Sequence, residues 1–127
     1  MNYTILIADD EPEIRTLLRL YLENENYQII EAENGKQALE LLKKEHVDLC
    51  LLDIMMPEMD GLETTKAIRG LSREDAGSVP IIAMSANAFA DDITRSKAAG
   101  MNAHLSKPLD FEELFRTIKR YGGAGAS

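Results

Sequence analysis

Several shortages in the 127-residue sequence each remove a class of protein. There is one cysteine, Cys50, so no internal disulfide can form, and its place in an apolar run reads as packing. No apolar run approaches membrane-span length, and the first residues lack the basic, apolar and small-residue regions of a secretory signal. Basic residues are outnumbered, 14 Lys and Arg against 22 Asp and Glu, for a net charge of −8. A chain that grips nucleic acid is expected to have a basic face, so this balance argues against direct nucleic-acid binding by the domain. The two histidines, His46 and His104, lack metal-ligand spacing, and His46 reads as surface. Together these point to a cytoplasmic domain without membrane contact.

What is present reads as one α/β domain over residues 1–121. Hydrophobic content of 45% and charged content of 28% suit a globular fold, and the length suffices for one substantial core. Apolar runs at Tyr3–Ala8, Gln28–Ala32, Val47–Leu52, Pro80–Met84 and Ala103–Leu105 read as five strands. Between and after them run helical patterns. Ile14, Leu17, Leu18, Tyr21 and Leu22 form an expected core-facing stripe behind Pro12. Asn34 with Gln37, and Asp110 with Glu113, have capping-box spacing, and Asp60 is an expected cap. Alternating strands and helices imply a parallel sheet covered on both faces. Residues 71–79 read as a loop. The helix at about 87–99 has only Phe89 and Ile93 as large apolar residues, which fits a marginally packed surface helix or a movable element. The glycine-rich tail, 122–127, reads as a flexible linker or an expression scar.

Chemistry collects where the strands end. Asp9 and Asp10 follow the first run, Asp53 the third, Ser85 the fourth and Lys107 the fifth. Open α/β sheets place their sites at these carboxyl ends. Two carboxylates about 5 Å apart repel by roughly 3 kcal/mol at an effective dielectric near 20, so the three acids call for a cation or raised pKa values. Carboxylates with water and a backbone carbonyl suit Mg²⁺, which in turn can neutralise a phosphoryl group. In that setting Asp53 is a candidate nucleophile, Lys107 a charge for a phosphoryl oxygen and Ser85 a hydroxyl donor, while small Ala86 leaves room for entry. Singly, each residue has a plainer reading: an acid pair before a helix caps it, a serine after a strand makes a turn, and Lys-Pro is a loop. Their joint placement at the ends of the right strands favours a phosphoryl site.

With Asp9-Asp10-Glu11, Asp53 followed by Pro57 and Gly61, Ser85-Ala86, and Lys107-Pro108 in these positions, the sequence resembles the receiver domain of two-component signalling over roughly residues 3–121. The resemblance implies a flavodoxin-like doubly wound fold with five strands in the order 2-1-3-4-5 and five helices. It implies phosphorylation of Asp53 from a histidine of a partner kinase or phosphotransfer protein. Asp10, Asp53 and the backbone carbonyl of Met55 would bind Mg²⁺ directly, with Asp9 acting through water. Ser85 and Lys107 would hold the phosphoryl group, and the Lys107–Pro108 bond would be cis. Phosphorylation would reposition the loop after Ser85 and the helix behind it, switching the 87–121 face. Catalysis would be limited to the domain's own phosphorylation and dephosphorylation, and a phosphorylation-dependent dimer is a further partner expectation.

One departure stands out. Three residues before the lysine the family commonly has Tyr or Phe, and here stands His104. It reads either as a planar switch group with added pH sensitivity or as an edge-strand histidine without a switching role. The segments Met84–Ala88 and Gly100–Pro108 look most like receivers of hybrid sensor histidine kinases, whose parent would be a protein histidine kinase. Two competing readings are weaker. A phosphatase of the haloacid dehalogenase type needs an aspartate two residues after its nucleophile, where this chain has Met55. An unphosphorylated interaction module would have no use for the acids, Ser85 and Lys107.

Overall fold

Three strands are buried along their whole length because they occupy the middle of the sheet: β1 (Thr4–Ala8), β3 (Leu49–Asp53) and β4 (Ile81–Ser85). Their near-continuous apolar sequences suit strands covered on both faces. The two outer strands, β2 (Gln28–Ala32) and β5 (Ala103–Ser106), mix buried positions with half-buried and exposed ones. All pairings are parallel, and the order is β2-β1-β3-β4-β5. The helices are α1 (Pro12–Glu23), α2 (Gly35–Lys44), α3 (Gly61–Arg69), α4 (Ala90–Ala99) and α5 (Phe111–Tyr121). The computed structural model describes residues 3–56, 58–71, 78–86 and 90–121. Pro57, Phe89, most of the 71–79 loop and the 122–127 tail lie outside the described residues.

Strand alternation sorts the core into two layers. Leu6, Cys50, Leu52, Ile81 and Ala83 pack with Ala38, Leu42, Leu62 and Ile68 of α2 and α3. Ile5, Ile7, Leu51, Ile82 and Met84 pack on the other face with Leu18, Leu22, Leu114 and Ile118 of α1 and α5. Each such aliphatic side chain contributes about 1.5–3 kcal/mol by burial. Cys50 is fully buried, and desolvation pushes its thiol up to about 12, so packing is its role.

The α1 stripe is narrower than its periodicity predicts. Leu18 and Leu22 are buried, but Leu17 and Tyr21 are each 45% exposed. Tyr21 stacks on Phe111 of α5 with ring centroids 4.0 Å apart, bridging two helices over the sheet instead of entering the core.

The helix starts follow local chemistry closely. Asp60 and Glu63 form a full capping box on α3. Asn34 accepts from the Gln37 amide, whereas the Gln37 side chain reaches Glu33 N, one residue earlier than a capping box requires. Asp110 accepts from the amides of Glu112 and Glu113.

A strap invisible to periodicity closes the amino end of the sheet. Arg69 donates to the carbonyls of Gly100 and Val79 and to Asn102 Oδ1, over 2.7–3.1 Å. Gly100, at φ +107°, adopts a backbone conformation that other residues enter only under strain. In α4, Ser96 and Ala99 are buried and Ile93 is half-buried, so small residues carry much of its described packing.

Candidate functional site

The carboxyl ends of β1, β3 and β5 converge on a cluster of acids around one ammonium group. Asp9 stays on the ladder one residue beyond β1 because its amide donates to Ala32 O at 3.2 Å. Its side chain is fully buried: Oδ1 accepts from Glu11 N at 2.9 Å and Oδ2 from Lys107 Nζ at 2.8 Å. Asp53 is the last residue of β3 and 3% exposed. Its Oδ1 accepts from Met55 N at 3.2 Å and its Oδ2 from Lys107 Nζ at 3.2 Å.

Two turns bring these groups into range. Ile54 N donates to Met84 O, and Gly61 N to Ile54 O, so the chain folds back to start α3 beside Asp53. A Cβ on Gly61 would lie 2.5 Å from the Asp53 carbonyl oxygen, a contact no other residue could make without moving the strand end. Lys107 follows β5, its amide donating to Ser85 O at 2.8 Å, and the Lys107–Pro108 bond is cis as the resemblance implied.

The charges are unbalanced. Oxygens of Asp9, Asp10, Glu11 and Asp53 lie within 4.8 Å of one another, two of the residues buried and two exposed. Burial, reinforced by the Asp9 charge, pushes the Asp53 carboxyl up to about 7, against the pull of Lys107 and the Met55 amide. Burial disfavours the Lys107 charge, yet its hydrogen bond to Asp9 and the charges of Asp53 and Asp9 outweigh this, and its pKa is raised. Such a site favours cations, and its all-oxygen donor set suits a hard divalent ion.

Of the residues expected from sequence, the structure gathers Asp9, Asp10, Asp53 and Lys107. Ser85 is buried at the end of β4, beside Met84, the Asp53 partner in the ladder, and the exposed Ala86 follows. Met55 carries an exposed side chain on the turn after Asp53. Half-buried His104 lies on β5 and, with Glu113, Arg116, Thr117 and Arg120, lines a groove of about 420 Å³. His46 is exposed and lies 2.8 Å from Asp48. Sequence reasoning missed Glu11 as a site residue. It is the N-cap of α1 but makes no side-chain cap bond, and its carboxylate lies 3.5 Å from Lys107 Nζ. The unbroken acid run at residues 9–11 was the available signal.

A parallel five-stranded sheet with acids and a lysine at its carboxyl ends has the donors for a divalent ion and a phosphoryl group, and comparison with known proteins gives the family. The profile of the response regulator receiver domain matches residues 5–119. Sporulation initiation phosphotransferase F of Bacillus subtilis is 40% identical, covering 95% of this chain and 94% of that protein. The chemotaxis protein CheY4 of Vibrio cholerae superposes with a TM-score of 0.89 at 28% identity, over 95% of this chain and 99% of that one. The receiver domain of the sensor histidine kinase PA1611 from Pseudomonas aeruginosa, solved with a magnesium ion in its active site cleft, superposes with a TM-score of 0.86 at 33% identity, over 95% and 98%. The chain belongs to the response regulator receiver domain family and is a phosphoacceptor domain of two-component signalling. No helix among the described residues is long and apolar enough to cross a membrane.

Proposed function

We propose that Asp53 is the phosphoacceptor, that Mg²⁺ is held by Asp10, Asp53 and the Met55 carbonyl with Asp9 acting through water, and that a histidine kinase or histidine phosphotransfer protein is the donor. The observation carrying this is the buried Asp53 carboxylate at the end of β3, with Asp9 and Lys107 around it. Glu11 is an added candidate for the metal shell. When bound, the metal supplies positive charge for the transferring phosphoryl group.

The chain's own residues do the rest. An Asp53 oxygen attacks phosphorus as the P–N bond of a phosphohistidine breaks, and the bonding electron pair leaves with the imidazole. Asp53 must be ionised for this step, and Lys107 favours that form. Once Asp53 carries the phosphoryl group as an acyl phosphate, Lys107 loses one carboxylate partner and gains phosphoryl oxygens, and the Ser85 hydroxyl donates to another. The Lys107 amide is bonded to Ser85 O, so a shift at either residue is transmitted to the other strand end. The 87–121 face, including His104 and α4, is the switching surface in this reading.

The receiver unit is residues 1–121, acting in the cytoplasm where its donor presents the phosphohistidine. Likeness to both a phosphotransferase and a kinase receiver leaves the hybrid-kinase context without special support. The test is intact mass after exposure to a small acyl phosphate with Mg²⁺. One added phosphoryl group is expected, lost in Asp53→Asn. Labelling of Asp53→Asn at the wild-type rate would overturn the assignment.

A further inference from the structure

We infer that Arg15, outside the acid cluster, is a positioning residue that sets the affinity of the site for its divalent cation. The inference rests on the proposed Mg²⁺ site and concerns how that site is held in shape. Arg15 lies on the first turns of α1 with its side chain only 12% exposed. Its Nη1 donates to the backbone carbonyl of Asp9 at 2.5 Å, and its Nε pairs with Glu31 Oε1 of β2 at 3.2 Å. The Asp9 amide is already bonded to Ala32, the residue after Glu31. Asp9 is thus fixed to β2 on both sides of its backbone, directly through its amide and through the Arg15–Glu31 pair at its carbonyl.

This second tie fixes the peptide that joins Asp9 to Asp10. Asp10 is exposed, and no other described contact orients it. Without Arg15 the Asp9–Asp10 peptide could rotate, and the Asp10 carboxylate would swing away from Asp53. Groups that orient metal ligands typically contribute 10–100-fold in metal affinity.

A purely electrostatic view predicts the opposite sign. A guanidinium near a cation site repels the cation, so its removal should tighten binding. Here the Arg15 charge is paired with Glu31, which also pairs with Arg19. Partial cancellation leaves the geometric effect dominant. Lysine cannot replace it, because one ammonium lacks the planar fork that reaches carbonyl and carboxylate together.

The experiment is calorimetric titration of the protein with Mg²⁺ alone, with the circular dichroism spectrum and thermal midpoint recorded for each variant. Arg15→Met and Arg15→Lys are each expected to weaken Mg²⁺ about 10-fold, and Glu31→Gln by less. Arg19→Met, which removes charge from the same network without touching Asp9, is expected to bind Mg²⁺ as the wild type does. Wild-type affinity in folded Arg15→Lys, tighter binding in Arg15→Met, or equal weakening in Arg19→Met would overturn the inference. Absence of Mg²⁺ binding by the wild type would instead remove the metal-site reading beneath it. Should Arg15→Met fail to fold, the lysine and Glu31→Gln variants decide.

Discussion

Lys107 and Asp9 are joined by a 2.8 Å hydrogen bond across 98 residues of sequence, shorter than the 3.2 Å bond from Lys107 to Asp53. Asp9 is fully buried and the Lys107 side chain is 10% exposed, so neither charge has much water to fall back on. Breaking such a pair from one side costs more than the pair contributes, because the survivor is left buried and uncompensated. Lys107→Met in metal-free protein should therefore lose about 3 kcal/mol, and Lys107→Met with Asp9→Asn less than the sum of the single losses. Urea denaturation of the four proteins measures this, and simple additivity would show that the two residues are not coupled.

Stability should depend on pH through Asp53. Its folded carboxyl titrates at about 7 and its ordinary value is 3.8, so between these values the folded state holds a proton that the unfolded chain releases. This contribution is fully present below about pH 4 and lost as pH rises through about 7. The raised Lys107 pKa acts only in the alkaline range and adds no slope there. The unfolding free energy of wild type minus that of Asp53→Asn, without metal, should fall across pH 4–7. A flat difference would show that Asp53 titrates as an ordinary carboxylate.

Asp10 is exposed, so its removal should barely disturb the metal-free fold. Asp10→Ala is expected within about 0.5 kcal/mol of wild type, or slightly more stable as one source of repulsion disappears. Mg²⁺ at a hundred times its dissociation constant adds about 2.7 kcal/mol to a protein that binds it only when folded. That gain should be absent in Asp10→Ala when thermal unfolding is followed with and without Mg²⁺. An undiminished gain would remove Asp10 from the metal shell.

The Arg69 strap should be among the larger stabilising features outside the core. Arg69→Met leaves the Gly100 and Val79 carbonyls without this donor and should cost about 2–3 kcal/mol. Gly100→Ala should cost about 1–3 kcal/mol through its positive φ, with its Cβ 3.1 Å from Arg69 Cγ. Since the added methyl presses on Arg69, the double variant should lose less than the two singles combined. Denaturant midpoints decide it.

Local sequence determined much of this protein: the strands, the helix starts at Asn34, Asp60 and Asp110, and the acids and lysine at strand ends. These depend on side-chain period and on backbone amides within a few residues of a cap. The tertiary structure alone decided which of those groups meet. Leu17 and Tyr21 obey the helical period of α1 yet stay exposed, because the period gives a direction around the helix but not the width of the sheet beneath. Glu11, adjacent to the expected acids, joins the cluster only because Lys107 crosses the sheet to reach it. Arg15, Glu31 and Arg69 look like ordinary surface charges in one dimension. They become fasteners because the strand order sets β2 beside β1 and the end of α3 against the start of β5, and contacts between distant segments have no local signature in the chain.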